Sequence, residues 1–257
     1  MQALTATDWL AGADGCPGGW IVVFAQPGGA IAGPRVVRNF EDIAFATERP
    51  RLIAVDIPIG LPAHSPPKGR PAESEVREKL GERKSSVFRI PSRKAVEASV
   101  AAEPIDERER FLNACRIARE TSADGKAFAK QGFYILPKVA ELDTFLHRHP
   151  DWIDRVFETH PEIVFWRLNG ERAVPLAKKI KSRINPPGLE LRRDLLAQAG
   201  FPREALSQPA PKGAAADDLI DAFACLATAR QIAKGLARSF PPSPCRDEHG
   251  LRMAIWV

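Results

Sequence analysis

Short apolar runs separated by turn residues fill the beginning of the chain. Three of them are rich in Val, Ile and aromatic residues, which favours strands; they are WLAGA (9–13), WIVVFAQ (20–26) and PRVVRNF (34–40). CPGG and a Gly/Pro stretch at 27–34 divide these runs, as turns do. The pattern predicts a three-strand meander.

A short helix and a central strand are expected next. EDIAFATERP (41–50) has the pattern of one short helix that Pro50 stops. RLIAVDIPIG (51–60) is almost continuously apolar from Leu52, which is typical of a strand buried on both faces. The first part of the chain therefore predicts a sheet with this strand near its centre.

The character of the sequence changes after residue 60. A loop at 61–71 leads into amphipathic patterns with strongly charged outer faces, which predict helices; they are AESEVREKLG (72–81), EPIDERERFLNACRIARET (103–121) and ILPKVAELDTFLHRH (135–149). No linker of disordered composition flanks this segment. We interpret residues 64–150 as a helical insertion within a single domain that spans residues 1–257.

The second half returns to alternating strand and helix patterns. Residues 154–157 predict a strand, and Pro161 suits the first turn of a helix that follows it. Further patterns are a basic helix at 189–200, a loop at 202–213, a long helix at 214–235, a Pro-rich turn and a last strand at 251–257. No internal repeat is present, and the fold class expected is α/β.

Composition excludes several classes of protein. With 257 residues and 44% apolar content, the chain can bury a large core, and its apolar runs are too short to span a membrane. The N-terminus, MQALTATDW, has neither a basic start nor an apolar segment, so no secretory signal is expected. No CxxC pair occurs among Cys16, Cys115, Cys225 and Cys245. We therefore expect no zinc site, no disulfide framework and a cytoplasmic location.

Positive charge is concentrated in two segments. The formal net charge is +5, and residues 83–94 and 178–183 carry several Lys and Arg but no acid. Such runs form either a solvated surface or a phosphate-binding one. The presence of two of them, the first with Ser85 and Ser86, keeps both interpretations open.

Three acids stand at predicted strand ends. Asp14 follows the apolar run 9–13 and precedes CPGG, and Asp56 is the only charged residue between Arg51 and His64. Glu158 ends the strand near residue 157. Asp56 alone could cap a strand end or pair with an arginine, and Glu158 could cap the helix that begins at Pro161. A buried carboxylate is costly without a partner, which raises the question of whether these acids meet.

The long helix at 214–235 adds three more acids. Asp217 and Asp218 lie four and three residues before Asp221, so all three can share one face. An acidic first turn explains Asp217 and Asp218, but Asp221 is the only charge between Leu219 and Ala229. A helix apolar nearly all round is buried, so its acids would face inward toward a cation.

The oxygen atoms that these acids offer as ligands indicate which cation they would bind. Carboxylates from strand ends and one helix suit Mg²⁺ or Mn²⁺, and the five histidines are not spaced for zinc. Carboxylates from a first strand, a central strand and a late helix are typical of metal-dependent phosphodiester hydrolysis, in which two ions activate water and stabilise the leaving oxygen.

Six blocks of the sequence resemble one known family. They are DGCPGGW (14–20), VDIPIGLP (55–62), LGERKSSVFRIPSR (80–93), QGFYILPKVAELD (131–143), VFETHPEIVF (156–165) and DDLIDA (217–222). In this order they resemble the domain of unknown function 429 (DUF429) family, whose members are expected to be ribonuclease-H-like nucleases. The block before Leu80 departs from the family pattern Arg-x-Cys-Asp, because here it reads Arg70-Pro-Ala-Glu73.

The resemblance implies a fold and a site. The ribonuclease-H-like fold has a mixed five-stranded sheet flanked by helices, and its resolvase members carry metal-binding acids on the first strand, the fourth strand and a final helix. The residues in those places, which would be catalytic and metal-binding, are Asp14, Asp56, Asp218 and Asp221. Glu158 would be a further catalytic or supporting acid, and Asp217 would cap the helix. Phosphate-binding roles would fall to Arg83, Ser85, Ser86, Arg93, Lys138, Lys178 and Lys179.

The sequence therefore predicts a Mg²⁺- or Mn²⁺-dependent nuclease that acts on nucleic acid, either DNA or RNA. Two alternatives stay open. One is an ATP-dependent phosphotransferase of the actin-like type, although DGCPGG occurs once and no second glycine-rich loop follows. The other is a non-catalytic nucleic-acid-binding module with the same fold.

Overall fold

The computed structural model describes residues 5–27, 29–103, 106–181 and 183–257. The strands are β1 (Leu10–Cys16), β2 (Gly19–Ala25), β3 (Ile31–Val37), β4 (Leu52–Val55), β5 (Val156–Glu158), β6 (Lys179–Ile180), β7 (Arg183–Ile184), β8 (Ser239–Arg246) and β9 (Arg252–Trp256). The α-helices are α1 (Phe40–Ala44), α2 (Pro71–Leu80), α3 (Arg93–Ser99), α4 (Glu107–Glu120), α5 (Lys130–Phe133), α6 (Leu136–Arg148), α7 (Pro161–Leu168), α8 (Pro186–Gln198), α9 (Arg203–Leu206) and α10 (Ala216–Ala233).

A mixed five-stranded sheet in the order β3–β2–β1–β4–β5 organises the molecule. β1, β2 and β3 form an antiparallel meander, whereas β4 pairs in parallel with β1 and β5 pairs in parallel with β4. The predicted meander and the mixed sheet flanked by helices, an α/β fold, are confirmed. β4 is shorter than the predicted strand 51–60, because the chain bends at Asp56 and Ile57, and Pro58, which has no amide hydrogen, cannot continue the pairing.

Alternating side chains of the sheet pack into two apolar layers. On β2, Ile21 and Val23 join one layer, and Val22 and Phe24 join the other. The first layer is covered by α2, α7, α8 and α10, and the second by α1, α3 and α6. Helices therefore cover both faces of the sheet and leave the strand ends as the accessible edge.

Helix α10 lies unusually close to β1. A Cβ atom on Gly12 would be 2.2 Å from the backbone nitrogen of Leu226 and 2.3 Å from the carbonyl oxygen of Ala222. Only a residue without a side chain permits this approach. The contact sets the position of α10, and with it the position of Asp221, relative to the end of β1.

Helices occupy the chain between β4 and β5, where the sequence predicts a helical insertion. The predicted helices at 72–81, 103–121 and 135–149 correspond to α2, α4 and α6. Residues 104 and 105 of the second one lie outside the described residues. The basic run 83–94, for which the sequence predicts no regular structure, contains most of a 3-10 helix at Gly81–Ser86 and the start of α3.

The C-terminal region differs from the expectation. The sequence predicts a Pro-rich turn followed by one strand at 251–257, but the structure pairs β8 with β9 in a separate antiparallel hairpin. Prolines disfavour a central strand, yet a two-stranded ladder has free edges that tolerate them. A second small hairpin, β6–β7, interrupts the basic run 178–183, of which residue 182 lies outside the described residues.

Within the described ranges, none of the helices has both the length and the apolar content that crossing a bilayer would require. Residues 1–4, on which the expectation about a secretory signal partly rests, are not among them.

Candidate metal centre

Parallel pairing brings the first two acids together. β1 and β4 run side by side, with Ala13 opposite Val55, so the residues that follow are neighbours. The amide of Asp56 donates a hydrogen bond to the carbonyl oxygen of Ala13 over 3.0 Å. Both side chains therefore extend from the same carboxyl edge of the sheet.

The third acid comes from α10, which crosses β1 at Gly12. Carboxylate oxygens of Asp14, Asp56 and Asp221 lie within 4.8 Å of one another, and we refer to these three residues as the aspartate cluster. Asp14 is 9% exposed and Asp221 2% exposed. Three carboxylates at this separation are a donor set that fits Mg²⁺ or Mn²⁺.

Burial disfavours the charged form of the carboxylates in the aspartate cluster. It raises the pKa of Asp56 to about 7 and that of Asp221 to about 6, although the positive charge of Lys178 acts to lower both pKa values. Burial also raises the pKa of Asp14 well above its ordinary value, and the neighbouring carboxylates of Asp56 and Asp221 add to the effect. A divalent cation would favour the charged form of all three acids.

Lys178 places its ammonium group beside the cluster. Its Nζ atom forms an ion pair with Oδ2 of Asp221, while Oδ1 of Asp221 is buried and has no hydrogen-bond partner among the described residues. Burial alone would lower the pKa of Lys178, but Asp221 and Asp14 outweigh it and raise that pKa. The ammonium group of Lys178 therefore neutralises part of the cluster's negative charge, and Oδ1 of Asp221 remains without a partner among the described residues.

The neighbouring acids of α10 have other partners. Asp218 accepts a hydrogen bond from the backbone amide of Ala215 over 2.8 Å, and Asp217 pairs with Lys179 over 2.5 Å. The prediction that Asp217 caps the helix is thus wrong. Asp218 is the third residue of the helical turn, the position from which a side chain reaches back to the first free amide. Of these two acids and Asp221, the aspartate cluster contains Asp221 alone.

Glu158 lies beside the aspartate cluster but is held by an arginine. It stands opposite Val55 in the pairing of β4 with β5, and its carboxylate accepts two hydrogen bonds from Arg70, over 2.6 and 3.0 Å. It also accepts one from the amide of Ile59 over 2.8 Å. Burial raises the pKa of Glu158 to about 7. Glu158 is therefore a supporting residue in this structure and not a member of the cluster.

Arg70 joins a second acid to Glu158. The guanidinium also pairs with Glu73 over 2.5 Å, and all three side chains are buried. Glu73 is the acid of the block that departs from the family pattern, and here it neutralises part of the charge of Arg70. The block thus fixes the loop that follows β4.

Several residues predicted to bind phosphate have partners within the protein. Arg93 pairs with Asp143 and, over 2.7 Å, with Asp247, so its charge is used to join distant segments. Lys179 is paired with Asp217, as described above. Arg83 donates to the carbonyl oxygen of Pro175 over 3.3 Å. Arg93 in particular therefore has a structural role, since both of its acidic partners lie within the protein.

The remaining residues that were predicted to bind phosphate lie at the surface or near the aspartate cluster. Ser85 is exposed, and Ser86 donates to the carbonyl oxygen of Arg83 over 2.8 Å. Lys138 lies over the ring of Trp20, 4.5 Å from its centroid, and its contact with Glu141 is long at 3.5 Å. Ser86 and Lys138 line the cavity that borders the aspartate cluster.

That cavity has a volume of about 470 Å³, and Asp14 and Asp56 form part of its wall. His160 lies there too, with Nε2 at 3.2 Å from the carbonyl oxygen of Ser86 and with Nδ1 buried and unpartnered among the described residues. Burial lowers the pKa of His160, which favours the neutral ring. The spacing of the histidines does not distinguish His160 in the sequence, but its place just after β5 is a signal, because the ends of parallel strands meet at one edge.

Comparison with known proteins adds the family. No curated protein matches the chain, and no solved structure does. The model of one family, described as protein of unknown function (DUF429), matches residues 12–246, a segment that contains the whole aspartate cluster and Arg70, Glu73 and Glu158. The chain belongs to the DUF429 family.

Proposed function

We propose that the protein is a metal-dependent nuclease of the ribonuclease-H-like type, in which the aspartate cluster binds Mg²⁺ or Mn²⁺. The observation that carries the proposal is the convergence of three carboxylates, from β1, the end of β4 and α10, within 4.8 Å. The order of the sheet supports it, since three antiparallel strands come first and the acid-bearing strands β1, β4 and β5 are parallel neighbours.

The residues of the site have distinct roles in this proposal. Asp14, Asp56 and Asp221 would hold the ion through carboxylate oxygens, and the chemistry that such an ion supplies is the activation of water and the stabilisation of a leaving oxygen. Lys178 and Lys138 bring positive charge toward a phosphate group. Arg70 holds Glu158 and the loop after β4, which keeps Asp56 in place.

Activity with a defined set of substrates tests the proposal. Wild-type protein with Mg²⁺ or Mn²⁺ should cleave at least one of single-stranded, duplex, hybrid or branched nucleic acids, and EDTA should abolish cleavage. Asp14→Asn should lower the rate by roughly 10³-fold, because metal-assisted catalysis contributes several kcal/mol and each 1.4 kcal/mol is a factor of ten. Binding of the nucleic acid should change little.

Asp151→Asn serves as the control, because the Asp151 side chain is 68% exposed and far along the chain from the cluster. It should cleave as wild type does. If Asp14→Asn also cleaves at the wild-type rate, the nuclease activity belongs to another site or to a contaminant, and the proposal is wrong.

A further inference from the structure

Two of the three acids of the aspartate cluster face a partly enclosed cavity. Asp14 and Asp56 line the cavity of about 470 Å³, and Asp14 is only 9% exposed. A phosphate group must therefore enter the cavity to meet these carboxylates. Cavities of this size hold small ligands.

Most of the cavity wall has no use in phosphate chemistry. Its surface is largely apolar and aromatic, contributed by separate segments of the chain that include Ile57, Val87, Phe88, Tyr134 and Ile255. A phosphodiester is charged and gains nothing from such a surface. The wall fits the part of a substrate that is flat and apolar on its faces.

Polar and charged side chains also line this wall. Besides Asp14 and Asp56, they are Arg70, Glu73 and Glu158, which pair with one another, and Thr159, His160, Ser86 and Lys138. Lys138 lies there with its long 3.5 Å contact to Glu141, so its charge is only weakly neutralised. The hydroxyl group of Ser86 donates a hydrogen bond to the carbonyl oxygen of Arg83, and its oxygen keeps lone pairs that can accept one. A cation beside an acidic metal centre and a few hydrogen-bonding groups in an apolar wall match a nucleotide, which has a phosphate, a polar edge and apolar faces.

We propose that this cavity binds the terminal nucleoside of a single strand, with its base between Phe88, Tyr134 and the aliphatic wall and its phosphate beside the divalent cation that the aspartate cluster would hold. The inference rests on the proposed nuclease function and specifies its substrate class as strand ends. Aromatic side chains stack on any base, so the site tolerates different sequences, and the limited volume of the cavity favours the end of a strand.

Binding is the first test and needs no turnover. Adenosine 5′-monophosphate and ribose 5-phosphate are titrated into the protein with Ca²⁺ in place of Mg²⁺, and saturation-transfer NMR and calorimetry report binding. Adenosine monophosphate should bind at least about 10-fold more tightly than ribose 5-phosphate, because stacking of the base adds to the affinity. Equal affinities would overturn the inference.

Variants locate the binding. Phe88→Ala and Tyr134→Ala should each weaken the binding of adenosine monophosphate by about 10-fold and leave the affinity for ribose 5-phosphate unchanged. Leu112→Ala is the matched control, because Leu112 is an exposed apolar residue (54%) on α4 and does not line the cavity. Tyr134 is similarly exposed (58%), so its variant should fold, and melting temperatures check Phe88→Ala. Unchanged nucleotide affinity in both folded aromatic variants would place the base elsewhere.

Cleavage of linear and circular substrates is the second test. A linear single strand should be degraded with Mg²⁺ to mononucleotides from one end, and a closed circle of the same sequence should be cut at least about 10-fold more slowly. A circle cut as fast as the linear strand would overturn the inference. Base-dependent nucleotide binding without cleavage of either substrate would support the cavity assignment and remove the proposed nuclease function.

Discussion

At the scale of single residues, Lys178 balances part of the charge of the aspartate cluster. Its ammonium group pairs with Asp221 and, by its field, opposes the increase that burial causes in the pKa of Asp14, Asp56 and Asp221. A divalent cation and this ammonium group would be attracted by the same carboxylates. Lys178 is therefore expected to compete with the metal.

Replacing Lys178 tests this competition. Lys178→Met should tighten Mn²⁺ binding by about 10-fold, since removing a unit positive charge beside the carboxylates is worth about 1.4 kcal/mol or more at partly buried sites. The same change should destabilise the metal-free protein at pH 8 by about 1–2 kcal/mol, less than for a fully buried pair because the lysine is partly exposed. Electron paramagnetic resonance of free Mn²⁺ measures the affinity.

Lys179→Met is the matched control. Lys179 is the next residue and pairs with Asp217, which lies outside the aspartate cluster. It should leave Mn²⁺ affinity within about twofold of wild type, because a charge outside the cluster is better screened by solvent. If both substitutions change the Mn²⁺ affinity equally, the effect comes from the overall charge of the basic segment and not from the pairing of Lys178 with Asp221.

At the scale of elements, the site depends on how β1, β4 and α10 are packed. Parallel pairing aligns Asp14 with Asp56, and the close contact of α10 with Gly12 brings Asp221 to the same place. The elements are held by apolar layers on both faces, so the site is built on rigid parts of the fold.

Gly12→Ala should separate α10 from β1. The added Cβ would lie 2.2 Å from a backbone atom of Leu226, so the helix has to move, at a cost of about 1–3 kcal/mol or more. We expect weaker Mn²⁺ binding as well, because Asp221 moves with the helix. Thermal unfolding and Mn²⁺ titration measure the two effects.

Gly15→Ala on the same strand is the control. A Cβ there would meet Lys138 at 3.6 Å, an ordinary contact, so stability should change little. If both alanine variants behave alike, the distance between α10 and β1 does not determine the site.

The sequence could predict these elements because each leaves a local pattern. The apolar run that precedes Asp14 and the run that contains Asp56 indicate β1 and β4, and the uncharged stretch around Asp221 indicates a buried helix. Acids at the ends of parallel strands are expected to converge, and in the structure Asp14 and Asp56 do.

Partners that come from distant segments could not be predicted in this way. The bond of Glu158 to Arg70 joins β5 to the start of α2, and that of Arg93 to Asp247 joins α3 to the turn before β9. Charge and spacing along the chain do not distinguish such an arginine from one that binds phosphate. The same limit applies to Lys178 and Lys179, whose two-stranded hairpin is too short to leave a periodic pattern.

At the scale of the whole molecule, the aspartate cluster makes stability depend on pH. An unfolded aspartate has a pKa near 3.9, whereas the folded pKa is about 7 for Asp56 and about 6 for Asp221. Between these values the folded protein binds more protons than the unfolded chain. The free energy of unfolding of the metal-free protein should therefore fall as pH rises from about 4 to about 7 through this contribution.

Metal should reverse this trend. Mn²⁺ binds the charged carboxylates, so the increase in melting temperature that it causes should be larger at pH 8 than at pH 5.

Asp56→Asn should be neutral or stabilising by about 1 kcal/mol in the metal-free protein at pH 8, because it removes a charge that burial disfavours. Scanning calorimetry at both pH values, with and without Mn²⁺, gives the comparison, and equal Mn²⁺ shifts in wild type and Asp56→Asn would place the ion elsewhere.

The proposed function requires that Asp14, Asp56 and Asp221 form a divalent metal site. Anomalous diffraction at the manganese edge from crystals soaked in Mn²⁺ measures this. We expect an anomalous peak within coordination distance, about 2.0–2.3 Å, of oxygens from all three carboxylates, with the ammonium group of Lys178 displaced from Asp221. The same soak of Asp14→Asn crystals should show a weaker peak or none. Crystals with full Mn²⁺ occupancy at other sites and no peak among these three aspartates would show that they form no metal site.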